Sequence, residues 1–301
     1  MKLYAPKYYR RFRCIADRCE HSCCIGWEID IDEVTLQKYN RLRHGYGSVV
    51  ANSVCTEETP HFRLGAGDRC PHLDERGLCK IILHLGEDYL CDICREHPRF
   101  YNFTDVAEVG LGMSCIEAAR CILSSPDFDN MEEIGTLDVL PDGVPFDGRA
   151  ERSKIYTLLQ DASCDYATAL QRIYRAYSID AGEDRQWLEI LDSLEYLNAD
   201  HKALLMTYSS EQRPHEMDDY RKRWLAYLLY RHTTEAVDAE DFSARLAFCL
   251  FCERLFSSLL ASQNATDLQD AASLASLLSE EIEYSDDNTS ALTYACGEDR
   301  V

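Results

Sequence analysis

The sequence lacks an uninterrupted apolar run of about 18 residues, the length that marks a membrane-spanning helix, so no span is expected. Its opening, Met1-Lys2-Leu3-Tyr4-Ala5-Pro6-Lys7, lacks the apolar stretch of a secretory signal, and a cytoplasmic location is expected. Basic residues are scarce, with 31 Lys and Arg against 53 Asp and Glu. The formal net charge of −22 leaves no basic footprint for nucleic acid. Fourteen glycines and eight prolines are too few for a fibrous or disordered chain. Across 301 residues, a 46% apolar content is enough to bury the core of one large or two ordinary domains.

Cysteine is what the chain has in quantity. Eleven of its fifteen cysteines lie in the first 121 residues. One run is Cys14, Cys19, Cys23 and Cys24, followed by Gly26-Trp27. A second is Cys70, Cys79, Cys91, Cys94 and Cys115. In a reducing compartment such grouping favours metal ligation or catalysis over disulfides. Thiolates are soft ligands that suit zinc or an iron–sulfur cluster, and both take four ligands. Adjacent Cys23 and Cys24 do not easily serve one small ion together, so the spacing leaves cluster, zinc or two centres open. Cys91 and Cys94 are one helical turn apart, able to face one centre or to sit apart. Cys55 reads as a free thiol, Cys164, Cys249 and Cys252 as core residues, and Cys296 as tail.

The organisation changes along the chain. Up to about residue 125, short elements are separated by turns at Gly65-Ala66-Gly67-Asp68 and Asp74-Glu75-Arg76-Gly77. Ile29–Asp32 reads as a brief extended segment, and Asp32 as the cap of a helix through Tyr39. Leu78–Leu85, Tyr89–Glu96 and Ser114–Leu123 read as short helices, Pro98 ending the second. Residues 126–149, with prolines 126, 141 and 145, read as a linker. Beyond it a helical period takes over. One long stripe runs from Ile155 to Tyr177 and another from Trp187 to Leu197. Further helices are expected near 217–232, 240–262 and 265–283, with Asp238 and Asp241 as an N-terminal cap. The fold class is therefore mainly α: a cysteine-rich domain over 1–125, then an α-helical bundle over 150–301.

The segment Phe12-Arg13-Cys14-Ile15-Ala16-Asp17-Arg18-Cys19-Glu20-His21-Ser22-Cys23-Cys24-Ile25-Gly26-Trp27 resembles the opening of the flagellin lysine-N-methylases. Cys70-Pro71-His72-Leu73, Gly77-Leu78-Cys79-Lys80, Leu85-Gly86-Glu87-Asp88-Tyr89 and Cys94-Arg95-Glu96-His97-Pro98-Arg99-Phe100 continue the resemblance in order. Ser114-Cys115-Ile116-Glu117-Ala118-Ala119-Arg120 is similar to a further element. Looser echoes are Tyr227-Leu228-Leu229-Tyr230-Arg231-His232 and Glu281-Ile282-Glu283-Tyr284-Ser285. The first run also resembles a wider family of zinc- or iron-chelating CxxCxxxCC proteins, although Ala16 stands where its first cysteine falls. Other departures are His97 in place of an aromatic, Ile116 in place of Pro, and the additional Cys91 and Cys121.

The resemblance implies methyl transfer from S-adenosylmethionine to flagellin lysines, with a [4Fe–4S] cluster. It implies a metal region drawn from Cys14, Cys19, Cys23, Cys24, Cys70, Cys79, Cys94 and Cys115. No CxxxCxxC triad and no GxGxxG loop locates the donor, and Gly110-Leu111-Gly112-Met113 is too short a glycine signal. A lysine amine, of pKa about 10.4, must lose its proton before methylation, which makes Glu87, Asp88, Tyr89, Tyr101 and Glu117 candidates near the chemistry. The competing expectation is a noncatalytic zinc or iron module with a helical docking domain. Charge is also uneven, because the residues beyond 121 carry 15 basic and 35 acidic side chains. That acidic part is expected either to steer a lysine-bearing partner or simply to stay solvated.

Overall fold

The computed structural model describes residues 1–57, 59–140 and 146–297. The chain opens on strand β1 (Lys2–Pro6) and then enters the first of two compact units, Arg13–Pro98. The other unit joins Met1–Phe12 to everything from Arg99 onward. The cysteine-rich unit therefore ends at Pro98, short of the expected 125. The segment from Arg99 to 125 folds with the helices because one of its two strands pairs with β1 and the other pairs with that strand.

Within Arg13–Pro98 the elements are short, as the turn-rich sequence predicts. They are α1 (Glu33–Tyr39), α2 (Gly45–Ser53), a two-stranded ribbon of β2 (Val54–Cys55) and β3 (His61–Phe62), α3 (Lys80–Leu85) and α4 (Asp92–Glu96). The extended Ile29–Asp32 segment is held by Ile31 N–H to Pro60 O (2.7 Å) and Phe62 N–H to Ile29 O (3.1 Å). Asp32 caps α1 through Thr35 N–H (2.8 Å), and its other oxygen accepts from Asp92 N–H (2.9 Å) at the start of α4. One carboxylate thus satisfies the exposed amide ends of two helices. Ile29, Ile31, Tyr39, Val50, Phe62, Leu73 and Ile81 form the apolar core. The Tyr39 hydroxyl, buried in that core, donates to Tyr89 O at 2.6 Å.

The second unit contains a sheet that the helical period did not announce. It comprises β1, β4 (Arg99–Phe103), β5 (Ala107–Leu111) and β6 (Met131–Thr136), in the order β4-β5-β1-β6. Only the β1–β5 pairing is parallel. All five residues of β5 are buried, which explains why its sequence shows no alternation. Part of the expected linker is therefore strand; Pro141 and Pro145 lie outside the described residues. Gly110, read as a glycine signal, sits in β5, where an added Cβ would run into the Phe100 ring.

Helix α5 (Ile116–Leu123) lies between β5 and β6 in the chain. The others are α6 (Gly148–Leu159), α7 (Tyr166–Ala176), α8 (Asp184–Ser193), α9 (Ala199–Leu205), α10 (Asp218–His232), α11 (Ala239–Ser262), α12 (Leu268–Leu278) and α13 (Asp286–Gly297). The fold is mainly α, and past residue 150 no strand occurs among the described residues. The expected single stripe from Ile155 to Tyr177 is two helices, because Asp165 caps a new start through Thr168 N–H (2.8 Å). Asp238 caps α11 through Asp241 N–H (2.8 Å), as its spacing predicts. Helix α11 is the hub, packing against α10, α12 and α13. No helix among the described residues is long and apolar enough to cross a membrane.

Candidate metal centre

The two cysteine runs meet inside the Arg13–Pro98 unit. Ile25 and Arg69 form an antiparallel bridge flanked by Cys70 N–H to Cys24 O (2.9 Å) and Gly26 N–H to Asp68 O (3.0 Å). Gly26 sits at φ +85°, a conformation that glycine adopts without strain. These bonds set Cys24 beside Cys70. A second bridge, Leu73 with Cys79, folds the chain back around the Asp74–Gly77 turn. Asp74 Oδ1 makes that turn by accepting from the backbone N–H groups of Arg76 and Leu78, both at 2.8 Å. Cys79 stands just before α3 and Cys91 just before α4, with Cys94 one turn into the latter.

Five thiols therefore converge. Cys70 and Cys91 are members of the apolar core, and Cys24, Cys79 and Cys94 pack against it. The Cys91 and Cys94 side chains hydrogen-bond to each other. That bond draws Cys91 down and pushes Cys94 far up, with burial and its thiol neighbours adding to the rise. Burial pushes Cys70 up to about 11 and also raises Cys79. Cys24 is drawn down to about 7, chiefly by a hydrogen bond with Cys23, helped by Ser22 and the positive charge of Arg69. Cys24 is thus the thiol most readily present as a nucleophilic, metal-binding thiolate near neutral pH.

The loop between Cys70 and Cys79 is fixed by a buried histidine. His72 Nε2 lies 2.8 Å from Ser53 Oγ, and Nδ1 lies 2.8 Å from the Tyr46 hydroxyl. Ser53 Oγ already donates to Val50 O (2.7 Å), so it accepts from an Nε2–H. Nδ1 is then the acceptor for Tyr46. The ring is neutral, held down to about 4 by burial and by the charge of Lys80.

Of the cysteines singled out in the sequence, Cys24, Cys70, Cys79 and Cys94 come together, joined by Cys91. Cys14 and Cys23 are exposed and Cys19 half-buried, its Sγ donating to His21 O at 2.9 Å. Cys115 belongs to the other unit, half-buried immediately before α5. No group of three His, Cys, Asp or Glu residues closes on a single ion among the described residues. Cys249 and Cys252 are buried core residues of α11, as read. Cys164 is not in a helix core; it is half-buried in the turn before Asp165. Among the acid and tyrosine candidates, Glu87 and Asp88 are exposed in a single 3₁₀ turn with Tyr89. Glu117 pairs with Arg120 at 3.4 Å, and Tyr101 lies in β4.

The two looser echoes meet each other in the helical unit. Glu283, buried at the end of a π-helical turn (Ser279–Glu283), accepts from the Tyr227 hydroxyl (2.9 Å) and from His232 Nε2 (2.7 Å). Arg231 donates to the Tyr227 oxygen at 3.0 Å and to the Glu283 backbone carbonyl at 3.3 Å. Burial pushes the Glu283 carboxyl up, but Arg231 and His232 outweigh it and hold the group below its usual range. Met113 N–H, beside the Ser114-Cys115 element, donates to the same Tyr227 oxygen at 3.2 Å. Residue-type reasoning alone missed this network; the signal was the pair of weak echoes.

The chain is similar to curated proteins over part of its length. Over 130 residues, 40% of this chain, it is 29% identical to a protein named Lysine-N-methylase from Salmonella typhimurium. The same extent is 28% identical to the Lysine-N-methylase of Salmonella choleraesuis and to the Flagellar biosynthetic protein FliU of Salmonella muenchen. Over that stretch the chain is similar to the lysine-N-methylases. The match spans 32% of the length of each of the two lysine-N-methylases and 77% of FliU. No family model matches the chain, and no solved structure does. The resemblance to the lysine-N-methylases carried by the segments around the cysteines is thus borne out.

Proposed function

We propose that the protein is an S-adenosylmethionine-dependent protein-lysine N-methyltransferase of the cytoplasm, that flagellin is its substrate, and that it depends on a [4Fe–4S] cluster. The observation that carries this reading is the convergence of Cys24, Cys70, Cys79, Cys91 and Cys94 in a chain similar to the lysine-N-methylases.

The donor set fits a cluster. Four thiolates are needed, and five thiols are gathered in one apolar core. Cys24, Cys70, Cys79 and Cys94 would hold the group, with Cys91 as the alternative fourth ligand. When bound, a cluster supplies folding free energy and one-electron chemistry. The chain's own residues prepare the ligands. Cys24 offers a thiolate first, and the raised thiols of Cys70, Cys79 and Cys94 release their protons on ligation, so loading is steeply pH-dependent. The apolar wall of Ile29, Phe62, Leu73 and Ile81 keeps water from the site.

The test is anaerobic purification with iron and sulfide analysis, an absorption spectrum, and labelled methyl transfer to flagellin. Iron and sulfide in equal amounts with lysine-dependent transfer support the reading. Zinc alone and no transfer would establish the noncatalytic module instead.

A further inference from the structure

The buried arginines of the helical unit are generally paired. Arg152 meets Glu108 at 2.8 Å, Arg221 meets Glu253 at 2.7 Å and Arg231 meets Glu283 at 3.5 Å. Arg254, on α11, differs. It is only 9% exposed and makes no ion pair among the described residues, and its buried Nε has no hydrogen-bond partner. Its guanidinium lies 5.7 Å from the Trp187 ring centre and 5.7 Å from that of Phe251. Cation–π contact offsets only part of the desolvation of a buried charge. The neighbouring Tyr174 hydroxyl is likewise buried without a partner. A guanidinium and a phenol left unsatisfied together are unusual in a packed interior.

Both residues line a cavity of about 470 Å³, within the range of small-molecule sites. Trp187, Asp180, Glu240 and Ser243 share its lining. The Asp180 carboxylate spends one oxygen on Gly182 N–H (2.9 Å), and Glu240 is exposed, with no partner among the described residues. The wall thus presents a desolvated cation and a phenol donor, two carboxylates, and an indole face.

We infer that this cavity binds the head group of an α-amino acid, its carboxylate on Arg254 and Tyr174 and its ammonium on Asp180 and Glu240. A guanidinium takes a carboxylate through charge-assisted bonds, and the paired acids select against a simple carboxylic acid. The volume exceeds that of the head group, leaving room for a side chain beside Trp187. A free amino acid and the methionine end of S-adenosylmethionine share this chemistry. The second source rests on the methyltransferase reading; the head-group recognition does not.

Titration calorimetry on the full chain with methionine, methioninamide, N-acetylmethionine and S-adenosylmethionine tests this. Methionine or S-adenosylmethionine should bind saturably. Methioninamide, without the carboxylate, should bind about a hundredfold more weakly than methionine, and N-acetylmethionine, without the ammonium, about tenfold more weakly. Glu240→Gln, at an exposed and unpaired position, should bring methionine close to N-acetylmethionine. Tighter binding of S-adenosylmethionine than of methionine assigns the cavity to the methyl donor; the reverse order assigns it to a free amino acid. The inference is overturned if neither binds, if the amide matches methionine, or if Glu240→Gln leaves the methionine to N-acetylmethionine ratio unchanged. Because the amide probe questions Arg254 in the wild-type protein, no substitution at that buried site is needed. Methyl transfer to flagellin without head-group binding sinks this inference alone. Binding without transfer sinks the methyltransferase reading alone.

Discussion

Acidification should loosen the cysteine-rich unit through one residue, His72. Its unfolded pKa is about 6.5, and in the fold it is held down to about 4. Between these values the unfolded chain binds a proton that the folded chain refuses, so stability rises with pH across the window. Contributed stability is fully present above pH 6.5 and is lost as pH falls toward 4. Two and a half pK units correspond to roughly 3 kcal/mol, a large share of a small unit's margin. The geometry gives the cause, since the new proton would enter at Nδ1, where the Tyr46 hydroxyl now donates at 2.8 Å. Cys24 does not confuse the measurement. Its pKa falls from about 9 to about 7, so its contribution is lost between pH 9 and 7. Urea unfolding between pH 4 and 7.5, for wild type and His72→Gln, measures the difference. Nitrogen NMR of the His72 ring should show Nε2–H in the folded state. A ring that titrates near 6.5, or carries its proton on Nδ1, refutes the reasoning.

Four further outcomes are expected. Ser53→Ala leaves the His72 Nε2–H buried without an acceptor and should cost about 1–3 kcal/mol in urea unfolding. Glu108→Gln breaks a buried two-bond pair with Arg152 (2.8 and 3.0 Å) and should cost about 3–5 kcal/mol, seen as a lower Tm. Gly148→Ala should destabilise by about 1–3 kcal/mol, because its Cβ would lie 2.5 Å from Thr233 O, a backbone atom with little room to move. Cys94→Ser should remove most bound iron, whereas exposed Cys14→Ser should retain more of it, by metal analysis of anaerobically purified protein.

The sequence was most legible where a local rule acts alone. Asp32 and Asp238 could be read as caps because capping needs only a side-chain oxygen and an amide two or three residues on. Helices such as α7 and α8 were legible because they bury one face and keep an apolar period, whereas α11 is buried on every side along much of its length. The sheet was not legible, because β5 is buried throughout and shows no alternation, and its partner β1 lies a hundred residues away. The domain limit at Pro98 was hidden for the same reason, since chain entry and exit are set by non-local pairing. Within the thiol core, Cys24, Cys70, Cys79 and Cys94 belong to the eight cysteines that the resemblance implies, and nothing in the sequence separates them from Cys14, Cys19, Cys23 and Cys115. Cys91 was not separable, because one helical turn is equally compatible with a pair facing one centre and with two unrelated thiols.

The loose echoes around Tyr227 and Glu283 make a complementary case. Their spacing predicts no site, being ordinary residues of two helical segments more than fifty positions apart. Only the fold shows that they satisfy one another: the Glu283 carboxylate accepts hydrogen bonds from Tyr227 and His232, and Arg231 reaches its backbone carbonyl. A buried carboxylate with one donor removed costs several kcal/mol, so such a network tolerates few substitutions. A charge buried in the bundle constrains its partners as strictly as a ligand set does. The constraint is structural in kind. The Tyr227 oxygen also receives the Met113 amide at the element that carries Cys115, so the same network fixes the backbone two residues before that thiol. Positioning of Cys115 is therefore the consequence through which this remote network would bear on chemistry.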